Sequence, residues 1–234
     1  NGAANGAAAA GNSRSMNKLI VFDCDGTLVD SQAGIVRAME TAFLQHGLTP
    51  PDPHATRRVV GLSLVQAVHG LLPEADASLH DRLVESYKRA FQTLRGTGEL
   101  DEPLFPGIAA LLDELEGRGW LLGVATGKSD RGLGFCLNHH GIAGRFVTLQ
   151  TADRHPSKPH PAMLNAAIAE AGAAPETTVM IGDTSFDMVM GRAARAFTVG
   201  VTWGYHEADE LLEAGAHHVN DTTEALTAVL ERMA

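Results

Sequence analysis

The stretch "KLIVFDCDGTLVDS", residues 18–31, changes character partway along. After Lys18, Leu19–Phe22 are apolar and mostly branched, which suits a short strand buried on both faces. Asp23 and Asp25 then stand two apart where the apolar run stops, with Gly26 and Thr27 close behind. Two carboxylates placed so closely at the end of a buried strand repel each other. Either a cation lies between them or one of them carries a proton.

Four later runs repeat the apolar pattern: "WLLGVAT" at 120–126, "RFVTLQ" at 145–150, "TTVMIGD" at 177–183 and "AFTVGV" at 196–201. Helical periodicity separates them. Ile108, Leu111, Leu112 and Leu115 share one face, as do Met163, Leu164, Ala167 and Ile168. This alternation predicts an α/β fold, a Rossmann-like parallel sheet with helices on both faces.

Residues 31–104 break the rhythm. Ser31 is a good N-cap for a helix whose stripe is Ile35, Met39, Ala42 and Phe43 and which stops at Gly47. The prolines of "LTPPDPH" mark a turn, and two more helical stretches follow near 62–72 and 77–95. The division expected is an α/β core from 16–30 and 105–234 with an all-helical cap at 31–104, joined by linkers near 30–32 and 101–106. Ligands of open α/β sheets bind at the carboxyl ends of the strands, so an insertion after the first strand would overhang such a site. Residues 1–15, small and polar, read as a flexible tail or a cloning remnant, with Met16 as the natural start.

The bulk numbers narrow the function. A chain of 234 residues with 44% hydrophobic and 20% charged residues is ordinary for a soluble globular protein. No apolar run approaches the roughly 20 residues that span a bilayer, so no membrane partner is expected. A formal net charge of −10 with no basic block argues against nucleic acid. Cys24 and Cys136 are the only cysteines, which fits reduced thiols and a cytoplasmic location.

Four clusters fall at predicted strand ends: Asp23 with Asp25, then Thr126, Gly127 and Lys128, then Lys158 in "HPSKPHP", then Asp183, Thr184 and Asp187 in "GDTSFD". In a parallel sheet these ends share one edge. Asp23 and Asp183 offer hard oxygen ligands without a His or Cys cluster, which suits Mg2+ rather than zinc. Lys158 and the Thr126 hydroxyl remain as donors to phosphate oxygens. Asp23 qualifies as a nucleophile, since carboxylates form aspartyl-phosphates. Asp25 could donate a proton to the leaving oxygen and later take one from water.

"DCDGTLVD", "ATGK", "KPHP" and "GDTSFD", in that order and with a helical insertion after the first, resemble the haloacid dehalogenase superfamily from about Met16 onward, most closely its phosphoglycolate phosphatase-like branch with a small helical cap. The resemblance implies Asp23 as nucleophile, Asp25 as general acid/base, and Thr126, Gly127 and Lys158 on the phosphoryl group. It implies Mg2+ held by Asp23, Asp183 and the Asp25 backbone carbonyl, with Asp187 and Thr184 in support. The expected function is hydrolysis of a small phosphorylated metabolite. Phosphoglycolate heads the candidates, followed by sugar phosphates, nucleoside monophosphates and pyrophosphate.

Dehalogenases that resemble this fold lack the second aspartate, so Asp25 favours phosphoryl transfer. A sugar phosphomutase is an alternative, although the region where mutases carry a His holds Ser31, Gln32, Ala33 and Gly34. A non-catalytic phosphate-binding protein is a third. A P-loop is excluded, because Gly123 and Gly127 enclose three residues where that motif needs four.

Several residues have plainer readings. Cys24 should point into the core by strand alternation. His139–His140 and His217–His218 read as surface or helix-end residues, and His160 as support for its turn. Lys128 is either a surface residue or a neutraliser of the site. Arg57 and Arg58 in the cap are either a solvated helix face or readers of a substrate anion.

Overall fold

The apolar run at 18–22 becomes β1 (Asn17–Phe22), and its alternating side chains divide between the two faces of a parallel sheet. Ile20 and Phe22 join Leu112, Leu115, Val124 and Leu226 in one buried cluster, while Leu19 and Val21 join Met163, Leu164, Ala167 and Met180 in the other. The computed structural model describes residues 16–233. The expected tail at 1–15 lies outside the described residues.

The remaining strands are β2 (Leu121–Thr126), β3 (Phe146–Thr151), β4 (Ala173–Gly182), β5 (Phe197–Val201) and β6 (His218–Asn220). Their spatial order is β3-β2-β1-β4-β5-β6, and every neighbouring pair is parallel. The chain runs outward from β1 through β2 to β3, then returns to β4 on the other side of β1. That reversal opens a crevice at the carboxyl ends of β1 and β4. Four of the five expected strands start one residue later or earlier than the apolar runs, and the fourth run is longer, reaching back to Ala173.

Helices α1 (Gln32–Gln45), α2 (Pro53–Arg58), α3 (Leu64–Leu71) and α4 (Ala77–Gly96) form the cap inserted after β1. They have an apolar cluster of their own, with Met39, Phe43, Val68 and Leu83 at its centre. Helix α2 lies where the prolines suggested only a turn. Asp52 accepts a hydrogen bond from the His54 N–H and Pro53 occupies the first helical turn, where its missing N–H costs nothing.

The chain enters and leaves the cap side by side. The Asp30 N–H donates to Pro103 O at 2.9 Å, Phe105 N–H to Leu28 O at 3.0 Å, and Val29 bridges Leu104. The core continues with α5 (Ile108–Gly117), α6 (Asp130–His139), α7 (Ala162–Glu170), α8 (Ser185–Ala193), α9 (Ala208–Glu213) and α10 (Thr223–Glu231). No helix among the described residues is long and apolar enough to cross a membrane.

Helix α5 is held by Ile108, Leu111, Leu112 and Leu115, all buried against the sheet. Leu112→Ala removes a side chain with no exposed surface. It should lower unfolding free energy by about 2–5 kcal/mol, measured by urea denaturation. A loss below about 1 kcal/mol would mean that α5 does not seat against the sheet in this way.

Candidate active site

Pairing along β1 fixes where its carboxyl end falls. Phe22 is level with Val124 of β2 and Ile181 of β4, and the Asp23 N–H still donates to Ile181 O at 2.9 Å. The chain then turns tightly, with the N–H groups of Leu28 and Val29 both reaching Cys24 O at 2.9 and 3.1 Å. Gly26 sits in the left-handed region at φ +82, and a Cβ there would lie 2.2 Å from Asp183 Oδ2. A glycine is required on both counts. Cys24 points the other way and is buried beside the core residues Phe22 and Leu28.

Asp23, Lys158, Asp183 and Asp187 meet in the crevice between β1 and β4, all of them buried. Lys158 Nζ lies 2.8 Å from Asp23 Oδ1 and 2.7 Å from Asp187 Oδ1. The Cys24 N–H also donates to Asp23 Oδ1 at 2.7 Å. Asp187 Oδ2 accepts from the Thr184 N–H at 3.1 Å and from the Thr184 hydroxyl at 2.7 Å, closing a capping box at the start of α8. Thr27 Oγ1 donates to Asp183 Oδ1 at 2.8 Å, and the Tyr205 N–H to Asp183 Oδ2 at 2.9 Å. Asp23 Oδ2 is buried and has no hydrogen-bond partner among the described residues.

Three buried carboxylates therefore share one ammonium. Burial pushes the Asp23 carboxyl up to about 7 against the pull of Lys158. Burial, then Asp23 and Asp187, raise Asp183 well above the usual carboxylate range. Burial alone would lower the Lys158 ammonium, but Asp187 and Asp23 outweigh it and hold the group raised. A crevice so short of positive charge fits a cation. Ligand oxygens of Asp23, Asp183 and Asp187 lie within 4.8 Å of one another. Asp187 accepts from the Lys158 ammonium and twice from Thr184. Each Asp183 oxygen accepts one bond from a neutral donor, and Asp23 Oδ2 accepts none among the described residues, so Asp23 and Asp183 have the greater capacity to hold an ion.

Asp25 belongs to a different set of contacts. Lys128 Nζ lies 2.8 Å from Asp25 Oδ1 and 2.9 Å from Glu102 Oε1, and Glu102 in turn lies 3.7 Å from an Arg95 nitrogen. Lys128 is nearly buried, so of its two sequence readings the structure selects the one at the site. Burial alone would lower its ammonium, but the carboxylates of Asp25 and Glu102 outweigh it and hold the group well above the ordinary range. The Ser31 hydroxyl also donates to Asp25 Oδ1 and lies 3.3 Å from the Tyr205 hydroxyl. Ser31 stands at the N-cap position of α1, but its side chain makes no capping hydrogen bond. A charged acceptor is the stronger partner for it.

Thr126 closes β2, buried, and its Oγ1 accepts from the Lys128 N–H at 3.2 Å. A Cβ at Gly127 would lie 2.2 Å from Leu62 O, so the cap's 59–63 loop rests directly on this turn. The same loop is tied down where the Ser63 N–H donates to Ser157 Oγ at 2.8 Å. Arg58 makes a two-pronged ion pair with Glu210 of α9, both contacts at 2.6 Å. A cavity of about 260 Å3 runs from Asp25, Gly127 and Lys128 into the cap, and neither Arg57 nor Arg58 is among the described residues that line it. His139 ends α6 and His140 caps it, while His217 and His218 are exposed at the sheet edge. His160 accepts from the Ala162 N–H within its turn.

Sequence reasoning gave no role to Glu102, Tyr205 or Thr27, and it took Ser31 for an N-cap. Tyr205 and Glu102 lie in loops without a motif, so only the fold brings them to the aspartates.

Residues 20–201 match the profile of the haloacid dehalogenase-like hydrolases. The chain is 36% identical over 212 residues to "Probable phosphatase IndB" of Dickeya dadantii, covering 88% of this chain and 90% of that protein. It is 27% identical to a "Phosphoglycolate phosphatase" of Pasteurella multocida, covering 92% of this chain and 98% of the relative. Among solved structures, a hydrolase from Pseudomonas syringae superposes with a TM-score of 0.82 at 26% identity, covering 93% of this chain and all of that one.

The Arg58–Glu210 pair ties cap to core, and its hydrogen bonds lower the Glu210 carboxyl from its ordinary 4.5 to about 2. A lowered folded pKa means that the pair stabilises above about pH 4.5 and that this contribution fades as pH falls toward 2. Glu210→Gln should melt about 1–3 °C below wild type at pH 7, with the two melting curves converging below pH 4.5. Equal melting temperatures at pH 7 would mean that the pair contributes nothing.

Proposed function

The chain belongs to the haloacid dehalogenase-like hydrolase family, and from that premise we propose that it hydrolyses a small phosphomonoester with Mg2+, through an aspartyl-phosphate on Asp23. The observation that carries this proposal is Asp23 itself. One of its oxygens is held by Lys158 and the Cys24 N–H, and the other is buried without a partner among the described residues, beside Asp183. Relatives named as phosphoglycolate phosphatases bring phosphoglycolate onto the test panel, with sugar phosphates beside it.

In this mechanism Lys158 and the Thr126–Gly127 turn take the phosphoryl oxygens and place phosphorus in line with Asp23. A carboxylate oxygen of Asp23 bonds to phosphorus as the bond to the ester oxygen breaks. Asp25, held by Lys128 and Ser31, gives its proton to that departing oxygen, which leaves as an alcohol. A water then attacks phosphorus and passes a proton to Asp25, the bond to Asp23 breaks, and inorganic phosphate leaves. Asp23 and Asp183, with the Asp25 backbone carbonyl, would hold Mg2+, which would supply counter-charge for the phosphoryl oxygens in a crevice where, among the described residues, one ammonium, Lys158, faces three carboxylates. Asp187 and Thr184 act through Lys158, fixing where its ammonium stands.

Phosphate release from a panel of small esters, with Mg2+ and with chelator, tests the reaction. Asp23→Asn should retain the fold and lose about three orders of magnitude or more in kcat. Substantial residual turnover would remove Asp23 as nucleophile. A phosphomutase would return an isomerised sugar phosphate instead of free phosphate, so product analysis separates that reaction.

Asp183→Asn should raise the Mg2+ concentration needed for half-maximal activity by about tenfold or more. The Mg2+ affinity measured by calorimetry should weaken in step. An unchanged titration by both methods would exclude Asp183 as a ligand.

A further inference from the structure

The cavity that rises from Asp25 into the cap carries information on the leaving group. It holds about 260 Å3, where a single water needs roughly 10–15 Å3. That is far more room than a two-carbon acid fills. Its walls are mainly apolar: Ile35 and Met39 of α1, Val59, Val60 and Leu62 of the closing loop, and Phe91 of α4. Tyr87 adds to the aromatic wall, stacked on Phe91 with ring centroids 5.7 Å apart and planes at 27°.

Two more cations line the cavity, Lys88 and Arg131, but both are exposed and Lys88 is paired with Glu85. The partly buried cations at the floor are already engaged. Lys128 is shared by Asp25 and Glu102, and Arg95 faces Glu102. Both also flank the Phe91 ring, at 5.7 and 5.4 Å from its centroid. A glycolate carboxylate entering here would have to be desolvated while competing with Asp25 and Glu102 for its counter-charge, a costly exchange. A polyol would lose water along the aliphatic side of the chamber and gain few donors there. An apolar ring would instead displace water from apolar walls and lie against an aromatic face.

We propose that the substrate is the phosphomonoester of a mainly apolar, ring-bearing alcohol, its body lodged between Phe91 and Tyr87 on one side and Val59, Val60 and Leu62 on the other. This rests on the phosphatase function and specifies its substrate class. It runs against phosphoglycolate and simple sugar phosphates as preferred substrates.

The test is a series of esters of primary alcohols, so that the chemistry of the departing oxygen changes little: ethyl, butyl, hexyl and benzyl phosphate, beside phosphoglycolate and glucose 6-phosphate. The kcat/KM should rise about threefold to fourfold for each methylene that enters the cavity. Benzyl phosphate should exceed both ethyl phosphate and phosphoglycolate by about 100-fold. Phe91→Ala should cut the benzyl-to-ethyl ratio by about tenfold. A flat series, a preference for phosphoglycolate, or a ratio unmoved by Phe91→Ala would overturn the proposal while leaving the phosphatase function standing. Calorimetric binding of methyl- and benzylphosphonate, which have no ester oxygen to cleave, separates the two failures. Tighter binding of benzylphosphonate with no turnover of any ester would uphold the cavity assignment and defeat the hydrolysis. Equal binding of the two would overturn the assignment whatever the turnover.

Discussion

A fully buried ammonium, Lys158 Nζ, holds Asp23 at 2.8 Å and Asp187 at 2.7 Å, and the arrangement of the core follows from the charge it carries. Removing one partner from such a group leaves uncompensated charge in the interior, at a cost of about 3–5 kcal/mol. The fold therefore has to deliver three distant segments to one point. Asp23 comes from the end of β1 and Asp187 from the first turn of α8, after β4. Lys158 comes from the loop after β3, an edge strand, and that loop must cross β2 to arrive. Parallel strands with their carboxyl ends on one side make this possible, and the reversal of strand order beside β1 leaves the gap into which the lysine fits.

Asp23 and Asp25 are only two residues apart, yet each has its own lysine. Lys158 holds Asp23 inside the core cluster, and Lys128 holds Asp25 at the floor of the cap cavity. That separation lets one strand end present two carboxylates in different surroundings, as the roles proposed for them, nucleophile and proton-transfer group, would require. It also couples Asp25 to the cap. Lys128 is shared with Glu102, which lies just before the returning linker pairs with the outgoing one, and Glu102 faces Arg95 near the end of α4. The position of Asp25 thus depends on how cap and core meet, while that of Asp23 depends on the core alone.

The parts of the structure that follow from local rules were legible in the sequence. Buried parallel strands are continuous apolar runs, so β1 to β5 stood out, and helical spacing marked the buried face of α5 and of α7. The charged residues at strand ends were visible because a chain does not place Asp23, Lys158 and Asp183 at the edge of an apolar core without compensation. Short elements were harder to read. Strand β6 spans only three residues at the sheet edge, and α2 begins in a proline-rich stretch that also fits a turn. Of the contacts that position Asp25, only Lys128 was legible, as one of its two readings. Ser31, Glu102 and Tyr205 lie 6, 77 and 180 residues along the chain from it, and no periodicity links positions that meet only through the cap linkers and the loop after β5. Arg58 shows the opposite difficulty: a cation near the expected substrate region was visible, but its partner Glu210 was not.

Asp23 and Lys158 are closed off from solvent, and the contacts that close them are of a particular kind. Cap meets core where Leu62 O overlies Gly127, where Ser63 reaches Ser157 and where Arg58 pairs with Glu210. These are polar or steric contacts at a seam, whereas the large apolar clusters lie wholly within the cap or wholly within the core. Parting the seam therefore exposes little of either interior, and the paired linkers at 28–30 and 103–105 keep the two parts in register. With the seam closed, water is excluded from the crevice, which strengthens every charge interaction of Asp23, Lys158 and Asp183. The same boundary thus has two requirements that do not conflict: weak enough contacts to admit a substrate, and tight enough ones to keep the crevice dry while phosphorus is transferred. Polar contacts along a glycine-lined seam meet both, where an apolar interface would hold the cap shut.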